Sequence, residues 1–450
     1  MFPRLHPVKL SNAALDALVA SMEERRGPDN PRIPAGYTYL GQFVDHDITF
    51  DPTSKLRGHN DPRALANFRT PRFDLDSLYG SGPKDQPFLY DWSSERHPGV
   101  KLLVGASSGE GSITADLPRN AQGRALIGDA RNDENLIVAQ LHLLFIRFHN
   151  KVVDHVSAVE SALGSDRLFE KAQTLVRWHY QWIVAHDFLR RIVGDRTAKT
   201  ARAERRFYRF RGDPFIPIEF SAAAYRFGHS MVRNDYVPNG LLGRPVPIFA
   251  VKDNPGELDH LGGFRRLPVP LAIDWRFFFE LCDKKPQHSR KIDTALATRL
   301  FRLRAGANGK REALARLNLQ RGRALGLPSG AAVARAMHVE PLDEEQLLLD
   351  RLPREVRREL LRAPPLWYYV LCEAQRERGP DGHHLGRVGG RIVAEVLLGL
   401  LESDPSSYLH AKAPWKPTLT LPGAADGHFT MPDLVRFTLG DPAHALPPGR

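Results

Sequence analysis

Apolar residues recur at three- and four-residue steps along much of this chain, a spacing that predicts amphipathic helices. The clearest case is the segment 133–156, in which Ile137, Leu141 and Leu144 follow that period. With Ser11 as a cap before the first segment, the same pattern predicts helices over residues 12–24, 166–192, 220–231, 275–282, 290–302, 344–349, 353–362, 366–376, 390–403 and 432–439.

Strand patterns are rare, since only residues 101–104 and 246–251 offer weak candidates. We therefore predict a mainly α protein, a single large helical domain with long loops and little β structure. The length of 450 residues and the hydrophobic content of 42% allow a large core. The apolar stretch 392–401 is interrupted by Glu395 and is too short to span a bilayer, so no transmembrane segment is predicted.

The composition limits which binding partners and which cellular compartment we expect. The formal net charge of +11 favours acidic partners, but no basic block alternates with aromatic residues, so nucleic-acid binding is not predicted. The two cysteines, Cys282 and Cys372, exclude a disulfide framework, and their apolar neighbours predict buried free thiols. The N-terminal residues lack the pattern of a secretory signal, so we expect a cytoplasmic protein, with non-standard secretion left open.

The triplet Asp45-His46-Asp47 follows Gln42 by three residues in a segment that is otherwise aromatic and aliphatic. Ionisable groups in apolar surroundings need a partner, a metal or a catalytic role. Because neighbouring residues of a helix or turn point in different directions, we expect Asp45 and Asp47 to face different sites. On this segment alone, a helix-capping cluster explains the pattern as well as an active site does.

A second polar group opens the longest predicted helix. Arg131 and Glu134 are three residues apart and share one helical face, for which a helix-start ion pair is the alternative interpretation. Four polar residues then interrupt the apolar helix and indicate a buried polar network or the edge of a site. They are His142, Arg147, His149 and Asn150.

His229 and Asn318 are candidates for a buried site further along the chain. His229 lies among alanines and larger apolar residues, where a lone histidine is more often a satisfied core residue than a ligand. The small neighbours would let a flat ligand approach. Asn318 lies between two leucines, and a buried amide needs partners, of which the ring N–H of a metal-binding histidine is typical.

Oxygen-bearing side chains alternate at Thr70, Asp74 and Asp76. Such donors in an irregular loop suit Ca²⁺, which accepts carboxylates, hydroxyls and carbonyls. Taken alone, this segment favours the alternative of a surface loop rich in Asx turns.

The two distant histidines, His46 and His229, together with an arginine, a glutamine and several carboxylates, indicate a metal cofactor with one histidine on each side. Zinc is disfavoured because no His/Cys cluster has the short ligand spacing of a zinc site. Haem fits better, with one axial histidine, one distal histidine that does not bind iron, and arginines for propionates or peroxide.

These motifs resemble those of the animal-type haem peroxidases, the superfamily of myeloperoxidase and cyclooxygenase, in a short bacterial-looking form. In the family's order, the chain contains Gly-Gln-x-x-Asp-His-Asp, Asp-x-Asp-Ser-x-Tyr-Gly, Gly-Asp-x-Arg-x-x-Glu, His-x-x-x-x-Arg-x-His-Asn, Arg-x-Gly-His and Leu-Asn-x-Gln-Arg-x-Arg. The resemblance covers about residues 36–425 and implies a helical catalytic domain there. An N-terminal helix and extension (1–35) would precede it and a C-terminal tail (426–450) would follow.

The resemblance implies a role for each candidate in catalysis and iron binding. His46 corresponds to the distal histidine, Gln42 to the distal amide and Arg131 to the catalytic arginine. His229 corresponds to the proximal iron ligand, and Asn318 to the residue that accepts its ring N–H.

The resemblance also implies how haem b and calcium are held. Arg226 corresponds to an arginine close to the haem, and Arg321 is expected to face a propionate. Asp45 and Glu134 match the carboxylates that form esters with haem methyl groups in mammalian members, so ester links are an open alternative here. The implied Ca²⁺ ligands are the side chains of Asp47, Thr70, Asp74 and Asp76 and the carbonyl of Arg72.

The implied activity is that of a peroxidase, an enzyme that reduces hydrogen peroxide through a ferryl intermediate and oxidises small donors such as phenols or halides, as in a response to oxidative stress. His46 would move the peroxide proton, and Arg131 would stabilise the developing charge. The sequence departs from the family pattern at Asn135, where one member has a haem-linked methionine. It departs also at Phe148, where the family has a glutamate, and at Ala324-Leu325, where it has Asp-His.

Two other functions compete with this interpretation. A fatty-acid dioxygenase of the cyclooxygenase-like type needs a tyrosine three residues before the proximal histidine, and Arg226 stands there, with Tyr225 one residue off. A non-enzymatic haem-binding protein would need neither His46 nor Arg131.

Overall fold

α-Helices supply most of the regular secondary structure. The computed structural model describes residues 1–24, 27–49, 71–106, 115–250, 255–281, 284–304, 311–376, 381–419, 421 and 427–440. In chain order the α-helices are α1 (Asn12–Ser21), α2 (Gly36–Ile48), α3 (Asp76–Tyr79), α4 (Leu136–Val159), α5 (Ser165–Ile183), α6 (Leu189–Val193), α7 (Asp195–Ala203), α8 (Ile218–Ser221), α9 (Leu314–Ala324), α10 (Gly330–Ala336), α11 (Arg354–Arg362), α12 (Leu366–Arg376), α13 (Arg387–Ser403) and α14 (Met431–Leu439).

Short helical turns and strand pairs connect these helices. The 3₁₀ helices are Pro87–Leu89, Ala130–Asp133, Ala224–His229, Val269–Leu271, Trp275–Phe277, Thr298–Phe301 and Tyr408–His410, and a π-helical segment, Val184–Phe188, joins α5 to α6. The strands pair as β1 (Glu23–Glu24) with β10 (Leu296–Ala297), β2 (Asp29–Pro34) with β9 (His288–Arg290), β3 (Tyr90–Asp91) with β4 (Lys101–Leu102), β5 (Gly105–Ala106) with β6 (Ala115–Asp116), β7 (Asp235–Tyr236) with β8 (Val246–Pro247) and β11 (Leu303–Arg304) with β12 (Arg311–Glu312). The first pair is parallel and the others are antiparallel.

Helix α4 lies at the centre of the hydrophobic core. It packs against α2, α5 and α14, so the helix that carries His46 and the polar stripe of α4 meet in one core. By length and composition α4 is the one helix among the described residues that could cross a bilayer, yet 83% of its most apolar window is buried within the protein. Its apolar surface is therefore used in packing.

The prediction of a mainly α fold is confirmed, and the strongly periodic helices are found close to their predicted bounds. Ser11 caps α1, because its hydroxyl accepts the Ala14 N–H at 3.1 Å. The predicted helix 166–192 is interrupted by a π-helical segment, and the predicted helix 133–156 begins at Leu136 after a 3₁₀ turn. Helices 353–362, 366–376, 390–403 and 432–439 correspond to α11 to α14.

Four predicted helices are wrong or much shortened. Residues 290–302 form strand ends and a 3₁₀ turn, because they pair with the extended segments β1 and β2. Residues 344–349 form turns, and the described part of 275–282 contains a single 3₁₀ turn. Segment 220–231 breaks at Ala223, whose φ of −136° and ψ of −78° are not helical.

Candidate active site

Helix α2 carries three of the predicted site residues on one face. Gln42 and His46 are four residues apart, and Asp45 is three from Gln42, so helical geometry brings these side chains to one side. His46 is buried, and the other two are half-buried. Asp47 faces α5, where burial and the charge of Asp47 raise the pKa of Tyr180. Asp45 and Asp47 thus face different sites, as expected.

His46 is held by an amide that the sequence analysis did not single out. Its Nδ1 lies 2.8 Å from Oδ1 of Asn132, a fully buried residue of the 3₁₀ helix before α4. The Nδ2 atom of Asn132 lies 3.0 Å from Nδ1 of His142, which is equally buried on α4. A proton transfer by His46 would therefore use Nε2, since Nδ1 is engaged by the amide.

Arg131 is anchored beside His46 with its charge retained. Its Nη2 donates to Asp129 at 2.8 Å and to the carbonyl of His46 at 3.0 Å, and it also donates to the carbonyl of Thr49. Burial on its own lowers the pKa of Arg131, but the hydrogen bond and charge of Asp129, with two more carboxylates, leave it raised. The guanidinium thus joins the C-terminal end of α2 to the start of α4.

Gln42 and Glu134 meet between the same two helices. Gln42 Nε2 donates to the carboxylate of Glu134, and Asn135 Nδ2 donates to Gln42 Oε1 at 3.3 Å. Asn135 also caps α4, because its Oδ1 accepts the N–H of Val138 at 2.9 Å. Asn135, which departs from the family pattern, therefore begins the helix and supports Gln42.

His229 and Asn318 form a second wall of the candidate site. Nδ1 of His229 lies 2.8 Å from Nδ2 of Asn318 on α9, and Arg226 Nη1 donates to Asn318 Oδ1 at 3.1 Å. A 3₁₀ helix has three residues per turn, so Arg226 and His229 lie on the same side of theirs. The sequence analysis predicted that these three residues act together, and the fold brings them into contact.

The charges on this wall favour a neutral imidazole and a bound anion. Burial, helped by the charge of Arg226, lowers the pKa of His229 to about 3, so its ring is neutral at pH 7. Burial and the charge of Arg321 lower the pKa of Arg226 to about 10, which Asp45 partly opposes. Arg226 and Arg321 are both half-buried, and two guanidinium groups that approach each other with little solvent are stabilised by an anionic ligand.

The 3₁₀ helix that carries His229 packs against α2, and Gly228 within it borders open space. Tyr225, which precedes Arg226, donates its hydroxyl to the carbonyl of Gly41 on α2 at 3.2 Å. The charge of Asp45 acts on both Tyr225 and Arg226. No heavy atom lies within 4 Å of the position that a Cβ on Gly228 would take. The residue next to His229 therefore borders open space.

Three predicted calcium ligands converge on the far side of α2. One carboxylate oxygen from each of Asp47, Asp74 and Asp76 lies within 4.8 Å of the others. Two oxygens that bind one Ca²⁺ are at most about 5 Å apart, so one cation can contact all three. Thr70 lies outside the described residues, and the Arg72 carbonyl as a ligand stays a prediction.

The backbone of this loop is held by α5 and by a strained residue. Gln181 Nε2 donates to the carbonyl of Phe73 at 3.0 Å, and Arg177 Nε donates to that of Asp74 at 2.5 Å. Leu75, between the two loop aspartates, is fully buried with a φ of +56°. That left-handed conformation is unfavourable for leucine and persists where the surroundings enforce it.

The remaining polar stripe of α4 has a packing role. His149 contacts the hydroxyl of Tyr79 at 3.0 Å and the carbonyl of Val100 at 2.9 Å, and Asn150 bonds to the backbone of Leu102. Arg147 is exposed. Among the described residues, His142 contacts Asn132, the partner of His46, so one end of the stripe reaches the site.

Two other sequence features have a structural explanation. Phe148 packs against Phe429 and Phe437, with ring centroids 6.2 and 5.7 Å apart, so the departure from the family's glutamate joins α4 to α14. Cys372 is a buried free thiol whose pKa is raised by burial, as predicted. Cys282 lies outside the described residues.

With this fold and site, the chain is a helical protein of the haem-enzyme class. Residues 53–363 match the profile of the animal haem peroxidase family. The chain belongs to that family, and membership implies a haem cofactor.

Curated relatives are similar over part of their length. A peroxidase-like protein of Margaritifera margaritifera is 28% identical over 361 residues, which are 67% of this chain and 45% of that protein. Thyroid peroxidase of Sus scrofa is 28% identical over 285 residues, which are 59% of this chain and 30% of that protein. The chain thus spans less than half the length of these two relatives.

Solved structures share the fold. Peroxidase A from Dictyostelium discoideum superposes with a TM-score of 0.61 and 15% identity, over 90% of this chain and 87% of that one. A fatty acid alpha-dioxygenase from Oryza sativa gives a TM-score of 0.60 and 16% identity, over 89% of this chain and 74% of that one. At such identities the similarity concerns the fold alone.

Sequence reasoning missed Asn132, Asn135 and Asp129, which hold His46, Gln42 and Arg131 respectively. The sequence feature that could have revealed the role of Asn132 was His142. A buried histidine in an apolar helix needs a polar partner, and the polar segment before that helix offered candidates.

Proposed function

We propose that this chain is a haem-dependent peroxidase that reduces hydrogen peroxide and oxidises small donors such as phenols or halides. The observation that carries the proposal is a buried imidazole, His46, with its Nδ1 bound to an amide, together with a half-buried and neutral imidazole, His229, that contacts a second amide. A fold that only stored haem would need the second imidazole but not the first, nor the charged Arg131 beside it.

The residues around His229 fit an iron porphyrin. A neutral imidazole can bind iron, and Arg226 and Arg321 supply positive charge for propionates. Gly228 borders open space, and Asp45 and Glu134 lie at the same site as candidates for ester links to haem b. When bound, haem supplies the redox chemistry of O–O bond cleavage and donor oxidation.

The amide of Asn318 must present its oxygen to His229 for this role. An imidazole that binds iron through Nε2 carries its proton on Nδ1 and donates it. In the structure, Oδ1 of Asn318 accepts from Arg226 while Nδ2 faces the ring. A half-turn of the amide would give His229 this acceptor. It would also turn Nδ2 towards Nη1 of Arg226, which is a donor, so Arg226 would have to exchange its bond with Asn318 for one with an anion such as a propionate.

On the other wall, His46 would act as base and then as acid. Its Nε2 takes a proton from the peroxide oxygen nearer the metal and returns it to the departing oxygen, which leaves as water. Arg131 lies beside His46 with a charge that Asp129 stabilises, and it would stabilise the negative charge that develops on the departing oxygen. Gln42, fixed by Glu134 and Asn135, would orient the peroxide.

We propose that Asp47, Asp74 and Asp76 bind Ca²⁺, with Thr70 and the Arg72 carbonyl as further ligands. Three carboxylates this close repel one another unless a cation or protons neutralise them. Asp47 directly follows His46, so the ion would fix the end of α2 that carries the distal base.

Fatty-acid dioxygenation is not favoured, although an alpha-dioxygenase shares the fold. Arg226 holds the position three residues before His229, and it bonds to Asn318. Tyr225 is turned towards α2, where its hydroxyl donates to Gly41. No tyrosine therefore stands on the His229 side of the 3₁₀ helix Ala224–His229.

The proposal is tested by the absorption spectrum of the haem-supplemented protein, before and after peroxide. We expect a Soret band that peroxide shifts, its loss in His229→Ala, and its retention in Arg131→Leu with the reaction slowed roughly 10²-fold. His155→Ala, a histidine of α4 outside the site, is the control and should match the wild type. A wild type without a Soret band contradicts the proposal, and extraction with acidified acetone separates ester-linked from free haem b.

A further inference from the structure

We infer that Asn132 is a positioning residue that sets which ring nitrogen of His46 carries the proton, and that His142 sets the orientation of Asn132. This inference rests on the proposed function and adds the residues that make the distal imidazole competent as a base. It concerns a buried chain of three side chains, His46, Asn132 and His142, none of which is more than 5% exposed.

The argument begins with the two atoms of the Asn132 amide. An amide oxygen only accepts hydrogen bonds, and an amide nitrogen only donates them. Oδ1 of Asn132 lies 2.8 Å from Nδ1 of His46, so this nitrogen must carry the proton and donate it. A neutral His46 then has its lone pair on Nε2, the atom that has to accept a proton from peroxide.

The second contact couples the orientation of the amide to the tautomer of His142. Nδ2 of Asn132 donates to Nδ1 of His142 at 3.0 Å, which requires the His142 proton to be on Nε2. The reversed amide would need a proton on Nδ1 of His142 and would leave Nδ1 of His46 as an acceptor. His46 would then carry its proton on Nε2 and could not act as a base. The pair of amide and second imidazole thus selects between a competent and an incompetent tautomer.

The segment that carries Asn132 is held by other residues. Arg119 bonds to both oxygens of Asp133, with its Nη1 and Nη2 at 2.7 and 2.8 Å. Asp129 caps the same 3₁₀ helix by accepting the N–H of Arg131 at 2.9 Å. The side chain of Asn132 is therefore not needed to keep the segment in place, and its removal should act on His46 rather than on the fold.

The test compares two ligands of the haem-loaded protein. When hydrogen cyanide binds, its proton moves to Nε2 of His46 while its carbon binds iron, so the association rate measures the distal base. Carbon monoxide binds ferrous haem without proton transfer and reports only access to the iron. Both rates are measured by stopped flow at pH 7 for the wild type, His46→Gln, Asn132→Leu and Asn132→Asp.

We expect Asn132→Leu to slow cyanide association roughly tenfold, the effect of one lost hydrogen bond, and to leave carbon monoxide association unchanged. His46→Gln should be at least as slow with cyanide. Asn132→Asp keeps an acceptor oxygen for Nδ1 of His46 and should retain a rate close to that of the wild type. In His142→Phe, which removes the acceptor for Nδ2, cyanide association should slow by less than in Asn132→Leu.

The outcomes separate this inference from the proposed function. A wild-type cyanide rate in Asn132→Leu, with a slow His46→Gln, would overturn the role of Asn132 and leave the peroxidase proposal intact. The role is also overturned if Asn132→Leu slows both ligands equally, or if Asn132→Asp is as slow as Asn132→Leu. A wild type that binds no haem refutes the proposed function itself.

Discussion

At the scale of the residue, this site depends on amides that hold imidazoles. Asn132 contacts His46, Asn318 contacts His229, and Asn135 contacts the glutamine of the distal wall. An amide offers a donor and an acceptor without adding charge, so it can orient a buried ring at little electrostatic cost. The positive charge near the site then comes from guanidinium groups, which can bind anions.

Gly228 provides a residue-scale prediction about the space for the cofactor. A Cβ at this position would meet no heavy atom within 4 Å, so we expect Gly228→Leu to fold as the wild type does. The added side chain would enter the space beside His229, so we expect haem affinity to fall at least roughly tenfold. Titration of the apoprotein with haem, followed at the Soret band, measures this.

Gly164 offers a matched control for that substitution. It also has open space at its Cβ position, but it caps α5 away from the site. Gly164→Leu should keep the haem affinity of the wild type. If Gly228→Leu binds haem as tightly as Gly164→Leu does, the open space at Gly228 is not part of the cofactor site.

At the scale of the element, α2 joins two sites through one helical turn. The charge of Asp45 acts on Arg226, and Asp47 lies with the carboxylates of Asp74 and Asp76. A rigid helix couples these positions, because a change in the position of Asp47 moves its neighbour His46 as well. The proposed calcium ion would therefore act on the distal base through the backbone of α2.

Replacing Asp74 and Asp76 together with asparagine should remove the calcium site. We expect bound calcium to fall from about one ion per chain to near zero. Calcium at about 100 times its Kd should raise the free energy of unfolding by about 2.7 kcal/mol in the wild type and not in the variant. Elemental analysis and urea unfolding measure the two effects. Asp85→Asn, an exposed carboxylate nearby, is the control. Equal calcium content in both variants would refute the assignment.

The elements also show which parts of the fold were predictable. Helices α4 and α12 were predictable, because their apolar residues recur at the spacing of a helix. Helix α2 is buried on nearly all sides, so no polar face marks its period, and the sequence left it as a helix or extended turn. Segment 290–302 has a helical spacing of apolar residues, but pairing with distant strands overrides it.

The site was predictable in its members more than in its contacts. The order of motifs along the chain named His46, Arg131, His229 and Asn318 as candidates. In the fold, Arg131 lies beside His46 and Asn318 lies beside His229. The partners of these residues come from turns and helix starts, such as the 3₁₀ helix Ala130–Asp133. Which atom of an amide faces which ring depends on tertiary packing, and no spacing in the sequence carries that information.

At the scale of the whole molecule, the single core buries several histidines that must stay neutral. His149 is fully buried on α4, and burial, with the charge of Lys101, lowers its pKa to about 4 against the bond to the Val100 carbonyl. The pKa values of His179 and His186 are also lowered to about 4, chiefly by burial. In the unfolded chain these rings titrate near their ordinary pKa of 6.5.

The sign of the resulting pH dependence follows from these pKa values. Between about pH 6.5 and pH 4 the unfolded chain binds protons at these histidines and the folded protein does not, so stability falls as the pH falls. For His149 the loss in the free energy of unfolding between pH 7 and pH 5 is about 2 kcal/mol.

His149→Gln should therefore lose about 2 kcal/mol less of its free energy of unfolding than the wild type over this interval. Its stability at pH 7 is lower, because its contacts with Tyr79 and Val100 are changed. Urea unfolding at the two pH values gives the difference, and His6→Gln, at an exposed position, is the control. If His149→Gln lost as much stability between pH 7 and pH 5 as the wild type does, the ring of His149 would be protonated in the folded protein. The core around α4 would then have to hold a charge that its neighbours do not balance.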